Sequence, residues 1–298
     1  MDGIINVLKP PGMTSFDVVG FLRGVLKTSK IGHTGTLDPA AVGVLPVCVG
    51  KATKIIEYMT DKDKVYRAEM TLGVETDTQD SLGNIIEKRP VNVTEDEIVK
   101  VFDSFIGKQQ QIPPMYSAVK INGKKLYELA RKGITVERKP RDIEIYYIKI
   151  IDIFSDNRIL FDVGCSKGTY IRTLCSDIGQ RLGTGAHMSF LVRLSAGGFN
   201  IKDALTVEDI DEYANKGILD RYITPIDKAF EDYKFGVLEK HQEKRFLNGC
   251  TVEISKDNFV DGELIKVYNS NKAFIALGMV NIKNGKVLLK SKKVFLGE

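Results

Sequence analysis

The sequence predicts an α+β protein in which helices and strands interleave over most of the chain and a small all-β unit closes it. Three observations carry this. Lys64–Gly73 alternates apolar and polar residues, as a half-buried strand does. Thr94–Phe105 is amphipathic and opens with Thr94 three residues before Glu97, the spacing of a capping box. From about Phe230 onward, short β-rich segments recur at regular spacing, with Asn284-Gly285 as a hairpin turn. At 298 residues, 43% hydrophobic and 28% charged, the chain can bury a large core in one or two domains.

In chain order, Ile4–Leu8 reads as a short buried strand and Lys9-Pro10-Pro11-Gly12 as a loop. Ser15 is suited to cap a helix through about Leu26, with Phe16, Val19, Leu22 and Leu26 toward one apolar face. Thr53–Met59 predicts a short helix, and Glu75–Ser81 a polar loop. Gln109–Gly133 runs from a proline-stiffened loop through a strand and an Asn122-Gly123 turn into a basic helix. Basic groups interleaved with Tyr116 and Tyr127 suit RNA backbone contact plus base stacking, although an ordinary connector has the same outline. Arg141–Phe154 and Ile159–Cys165 have the β-branched and aromatic content of strands. A helix to about Leu182, a strand over Gly185–Leu194 and an acidic helical stretch, Asp203–Asp220, follow. In the last segment Phe246–Val252, Glu263–Tyr268, Ala273–Met279 and Lys286–Leu289 predict strands of a barrel-like unit.

Charge is unevenly distributed. Net charge is −2 over residues 1–110, +7 over 111–202, −6 over 203–243 and +5 over 244–298. Two basic blocks flanking an acidic one suit a chain that grips a polyanion at two places. No apolar run reaches membrane-span length, and the N-terminus has no secretory pattern. Cys48, Cys165, Cys175 and Cys250 have neither C-x-x-C nor disulfide-scaffold spacing, so reduced cysteines and a cytoplasmic location are expected. The three histidines, His33, His187 and His241, are too scattered to predict a metal site. No phosphate loop or dinucleotide fingerprint is present, so no cofactor is expected.

The most informative stretch is Lys30–Gly50. Small residues and turn-formers, Gly32, Thr34, Gly35 and Thr36, lead to a lone acid, Asp38, with Pro39 behind it and an apolar run, Val42–Val49, beyond. Pro39 disfavours helix at Asp38, so the carboxylate sits on an irregular loop entering buried structure. Such a loop is a common seat for catalytic groups, and Asp-Pro is equally ordinary turn chemistry. The run His33-Thr-Gly-Thr-Leu-Asp-Pro-x-Ala-x-Gly-x-Leu-Pro46 resembles the active-site segment of the TruB-type pseudouridine synthases. Two further stretches resemble the same family: Gln109–Gly133, its RNA-clamping insertion near 108–135, and Cys165-Ser-Lys-Gly-Thr-Tyr-Ile-Arg-Thr-Leu-Cys175. The opening Asn6–Ser15 is similar too, and the last segment is similar to the PUA-type RNA-binding module.

This resemblance implies a mixed, mostly antiparallel central sheet, a catalytic domain over residues 1–229 and a PUA-like domain over 230–298. It implies isomerisation of a uridine in the T-loop of tRNA, at position 55, by a monomer that needs no protein partner. Asp38 is then catalytic. Tyr66, by itself readable as a sheet-packing aromatic, would stack on the uracil and relay its C5 proton. Arg172 would hold the Asp38 carboxylate. His33, otherwise a residue making a loop hydrogen bond, would fill the gap left by the flipped nucleotide. Tyr170, Leu191, Lys9 and Lys120 complete the expected substrate-binding set. An enzyme acting on another RNA or guided by one, a tRNA-folding protein and a carboxylate glycosidase are the alternatives.

Overall fold

The computed structural model describes residues 1–121, 123–255 and 258–296. Strand β1, Gly3–Lys9, is followed by helix α1, Ser15–Leu26. The cap of α1 is Thr14 rather than Ser15: its hydroxyl accepts from the Asp17 amide while the Asp17 carboxylate takes the Thr14 amide. That reciprocal box satisfies two donors that would otherwise be orphaned, which Ser15 one residue later would not. Val19 and Leu22 are buried as expected, but Phe16 is 64% exposed and Val18 takes the buried face in its place.

Strands β2, Ile31–His33, and β3, Val42–Val49, flank the Asp38 loop. A 3₁₀ turn and helix α2, Ile56–Thr60, lead to β4, Lys64–Leu72, which alternates buried and half-buried residues throughout. The stretch expected to be only a polar loop begins as β5, Val74–Thr76, paired with β6, Ile85–Lys88. Helix α3, Glu95–Asp103, carries the Thr94–Glu97 capping box. Strand β7, Gly107–Gln111, precedes a hairpin of β8, Lys120–Ile121, and β9, Lys124–Lys125, and helix α4, Leu126–Ala130. Asn122 of the expected turn lies outside the described residues.

Strands β10, Arg141–Ile153, and β11, Arg158–Cys165, helix α5, Ile171–Arg181, and strand β12, Ala186–Ala196, complete the main sheet, with β13, Phe199–Asn200, at its margin. The order is β1-β3-β12-β4-β11-β10-β7. Every described pair along it is antiparallel except β3 with β12. The parallel pair is allowed by Gly43: a Cβ there would stand 2.3 Å from the Arg193 carbonyl oxygen. Only a residue without a side chain lets the two backbones close at that point.

Helix α5 buries Ile171, Leu174, Cys175 and Ile178 in one cluster with Tyr66, Phe161, Val163, Met188 and Leu191. Helix α1 packs with Ile5, Val7, Leu45 and Val47 in a second cluster, which also takes Ile210 of α6, Val207–Asn215. Each such buried aliphatic contributes about 1.5–3 kcal/mol relative to exposure. The stretch expected to be helical from Asp203 to Asp220 contains α6 between 3₁₀ turns, because Thr206 caps only at Val207 and Gly217 ends the turn with φ +68°.

A second, five-stranded sheet follows, built from β14, Phe235–Val237, β15, Val252–Ile254, β16, Leu264–Tyr268, β17, Phe274–Lys283, and β18, Lys286–Val294. Asn284 and Gly285, φ +50° and +71°, turn β17 into β18 as expected. Phe246, expected in a strand, lies in helix α7, Lys240–Leu247, whose single apolar face it plugs into the sheet. The expected boundary at residue 230 falls on Phe230. That ring is fully buried with Ile4, Cys48 and Ile55 of the first unit and Leu277 and Phe295 of the second.

Candidate active site

The loop bearing Asp38 is clamped from several elements at once. Thr34 donates through both its amide and its hydroxyl to the Pro46 carbonyl, 3.1 and 3.2 Å. Ser15, freed from capping, accepts the Leu37 amide at 2.8 Å. Leu37 itself plugs into the main core. The Pro39 carbonyl takes the Gly12 amide at 2.9 Å and the Lys9 ammonium at 3.1 Å. The carboxylate is thereby presented, about a third exposed, to a cleft of about 490 Å³.

Opposite it stands Arg172, the second residue of α5 and 5% exposed. Its Nε lies 2.9 Å from Asp38 Oδ2 and its Nη2 donates to Asp38 Oδ1 at 3.1 Å, a bidentate fork. Nη2 also donates to the Tyr116 carbonyl at 2.8 Å, and Nη1 lies 3.7 Å from Asp80 Oδ2. The start of α5 is located by Gln111, whose side-chain amide takes the Tyr170 amide at 2.8 Å and donates to the Tyr170 carbonyl at 3.0 Å. Burial in the cleft raises the Asp38 pKa above its ordinary value; the Arg172 guanidinium opposes this and Asp80 adds to it.

Tyr66 of β4 is buried and lines the cleft with Leu191, Tyr170 and Arg193. In the sheet it stands between Val163 of β11 and Arg193 of β12. Burial raises its phenol pKa, and Arg193 opposes that rise. Sequence reasoning missed Asp80 and Arg193. The acid-dense run Glu75–Ser81 was a signal for the first, and an arginine inside the apolar strand pattern Leu191–Leu194 for the second.

Asp38, Tyr66, Tyr170, Arg172 and Leu191 therefore meet in one cleft, and three expected residues do not line it. His33 ends β2 and accepts the Gly35 amide through Nδ1 at 3.3 Å; burial lowers its pKa, which favours a neutral ring. Lys120 is exposed on the β8–β9 hairpin. Lys9 was expected to bind substrate, but its ammonium is fully buried and donates to the carbonyls of Pro10, Met13 and Pro39. With all three hydrogens spent, it holds the Asp38 loop instead of reaching RNA. Burial lowers its pKa to about 8. Replacing Lys9 with Met should cost roughly 1–3 kcal/mol of stability by orphaning those carbonyls, while leaving RNA affinity within about twofold. Because the unfolded lysine binds its proton more tightly, the wild type should gain stability as pH rises from about 8 toward 10.5. Denaturant titrations of both proteins across that range check this, and an equal pH slope in the Met variant would refute it.

Residues 23–171 match the model for the N-terminal domain of TruB family pseudouridylate synthases. Residues 172–231 match that for the tRNA pseudouridylate synthase B C-terminal domain. The chain is 48% identical over 286 residues to tRNA pseudouridine synthase B of Alkaliphilus oremlandii, covering 94% of this chain and 93% of that one. Its counterpart from Clostridium kluyveri is 49% identical over 281 residues, covering 94% and 96%. Among solved structures, a chain of a Cbf5-Nop10-Gar1 complex superposes with a TM-score of 0.77 at 31% identity, over 99% of this chain and 85% of that one.

Proposed function

The chain belongs to the TruB family of pseudouridylate synthases, and from that premise we propose that it isomerises a uridine in the T-loop of tRNA, at position 55, to pseudouridine. The observation that carries the reading is the Arg172 fork on the Asp38 carboxylate, facing Tyr66 and Leu191 across a cleft large enough for one flipped nucleotide. The reaction breaks the ribose C1′–N1 bond and joins C1′ to C5, so reactant and product are isomers. An ionised carboxylate suits it, as a nucleophile or as a stabiliser of positive charge developing at C1′. Tyr66 lies against the base and relays the proton that C5 loses. A walled cleft keeps the detached uracil from escaping before it turns over.

The insertion supports recognition of the T-stem and loop. Its Tyr127 ring carries Lys125 on one approach and Arg131 on another, with cation centres 5.4 and 5.5 Å from the ring centroid. Residues 1–229 would form the catalytic unit and 230–298, whose last 55 residues carry net +5, a PUA-like RNA-binding unit. The protein would act in the cytoplasm as a monomer without protein partners. Incubating it alone with an unmodified tRNA transcript and mapping pseudouridine at single-nucleotide resolution tests the reaction, its position and its independence of partners. Product at one T-loop uridine is expected; no product, or product only with added RNA or protein, would overturn it.

His33, neutral and just outside the cleft, would occupy the stack that the flipped nucleotide vacates. His33→Ala should then slow single-turnover conversion by about tenfold to a hundredfold without ending it, since refilling the stack is worth a few kcal/mol at most. Loss as complete as that of an Asp38 variant would assign His33 a chemical role.

A further inference from the structure

Arg193 is the largest fully buried side chain of the described residues, and Asp38 is already held by a different arginine. Its Nε donates to the Val44 carbonyl at 2.7 Å and its Nη2 to the Gly35 carbonyl at 3.2 Å. No carboxylate of the described residues lies within ion-pair distance of it. The ionisable groups it faces are Lys9 of β1, His33 of β2, Lys64 of β4 and the Tyr66 phenol. A guanidinium buried beside further cationic groups is costly unless something in the site uses its charge. Two carbonyls alone could be satisfied by a neutral amide.

The backbone also aims it. Strand β12 shifts register against β4 between Arg193 and Ser195, a bulge of the sort that redirects a side chain beside a site. On the other side Arg193 is in register with Gly43, whose missing side chain admits it. In the sheet Arg193 is the cross-strand partner of Tyr66, so the two side chains leave the same face, and both line the cleft wall.

We propose that Arg193 is a positioning residue that acts through Tyr66, holding the phenol oxygen and stabilising its negative charge while the C5 proton of the rejoined uracil is removed. This rests on the isomerase reading and deepens it. Once C1′ is bonded to C5, the phenol gives its proton to N1 and becomes a phenolate. The C5–H bond then breaks, its electron pair forms C5=C6, the C6=N1 pair moves onto N1, and the C5 proton restores the phenol. Nothing is oxidised, and the net change is one proton from C5 to N1. Steps before C–C bond formation do not involve this charge.

The test compares two T-arm stem-loops, one with uridine and one with 5-fluorouridine at the target, in single turnover. The fluoro-nucleotide has no C5 proton to lose, so its consumption reads only the earlier steps. Arg193→Gln should convert uridine RNA about a hundredfold more slowly than wild type, as when one donor to a developing oxyanion is removed. It should consume 5-fluorouridine RNA within about threefold of wild type. Arg193→Lys, which keeps the charge, should recover about tenfold of the loss. If Gln at this position does not fold, the Lys variant is read on the same pair, with its remaining deficit expected on uridine alone. Equal slowing of both RNAs, or of neither, would overturn the proposal. A Tyr66→Phe control as fast as wild type on uridine would remove the tyrosine's role, and an inert wild type would remove the isomerase reading itself.

Discussion

Asp38→Asn should lower single-turnover conversion of a T-arm stem-loop by on the order of 10⁴-fold or more, while the variant folds and binds RNA nearly as wild type does. Asparagine keeps the size of the side chain and one acceptor for the Arg172 fork, but it is neither charged nor nucleophilic. The loop should stay in place because its clamps, Thr34, Ser15, Leu37 and Lys9, do not use the carboxylate. Measurable turnover, after deamidation back to aspartate is excluded, would end the assignment. The pH profile adds an independent check. The ionised form is the reactive one, so the wild-type rate should rise with pH through the Asp38 ionisation. Burial, with Asp80 nearby, places that limb above the ordinary aspartate value of 3.8 despite Arg172. A limb below 3.8 would mean that the guanidinium outweighs desolvation.

Arg172→Lys should be nearly as damaging, by on the order of a hundredfold. If charge alone mattered, lysine would keep most of the rate, since Coulomb attraction at similar distance is similar. The structure shows more than charge. One planar group meets both oxygens of Asp38, the Tyr116 carbonyl from the insertion, and the neighbourhood of Asp80. An ammonium on a flexible stem cannot span these directions at once. A carboxylate misplaced by about an ångström can cost about a hundredfold. Severing the tie to Tyr116 should also loosen the insertion, so RNA affinity should fall somewhat. Saturating enzyme separates the two effects, and a Lys variant within about threefold of wild type in that regime would refute the orienting role.

Much of this site was legible before any fold was known. Asp38 was a candidate on local grounds, because glycines, threonines and Asp-Pro concentrate turn chemistry in front of an apolar run, whereas the resemblance of Cys165–Cys175 to the family singled out Arg172. The alternation over Lys64–Leu72 and the capping box at Thr94 were local signals, and both elements formed where those signals pointed. Local signals failed where a neighbour competed for the same group. Ser15 looked like a cap until Thr14 took that part and left the hydroxyl to the Asp38 loop. Phe246 looked like a strand residue until the α7 turns placed it as a plug.

What the sequence by itself determined is therefore a set of short-range features: the strand that opens at Lys64, the capping box at Thr94, the Asn284-Gly285 turn and the loop that bears the acid. Periodicity and capping act over a few residues, so they can be read in one dimension. What only the tertiary structure decided is which distant groups share a charge environment. Lysine at position 9 reads as a ligand for RNA until β1 and the Pro39 loop enclose it. Arginine at position 193 sits inside an apolar strand pattern, and only the β4–β12 pairing sets it beside Tyr66, while Gly43, without a side chain, lets β3 close on its other side. Burial and field at a point are sums over elements far apart in the chain, and no local pattern encodes such a sum.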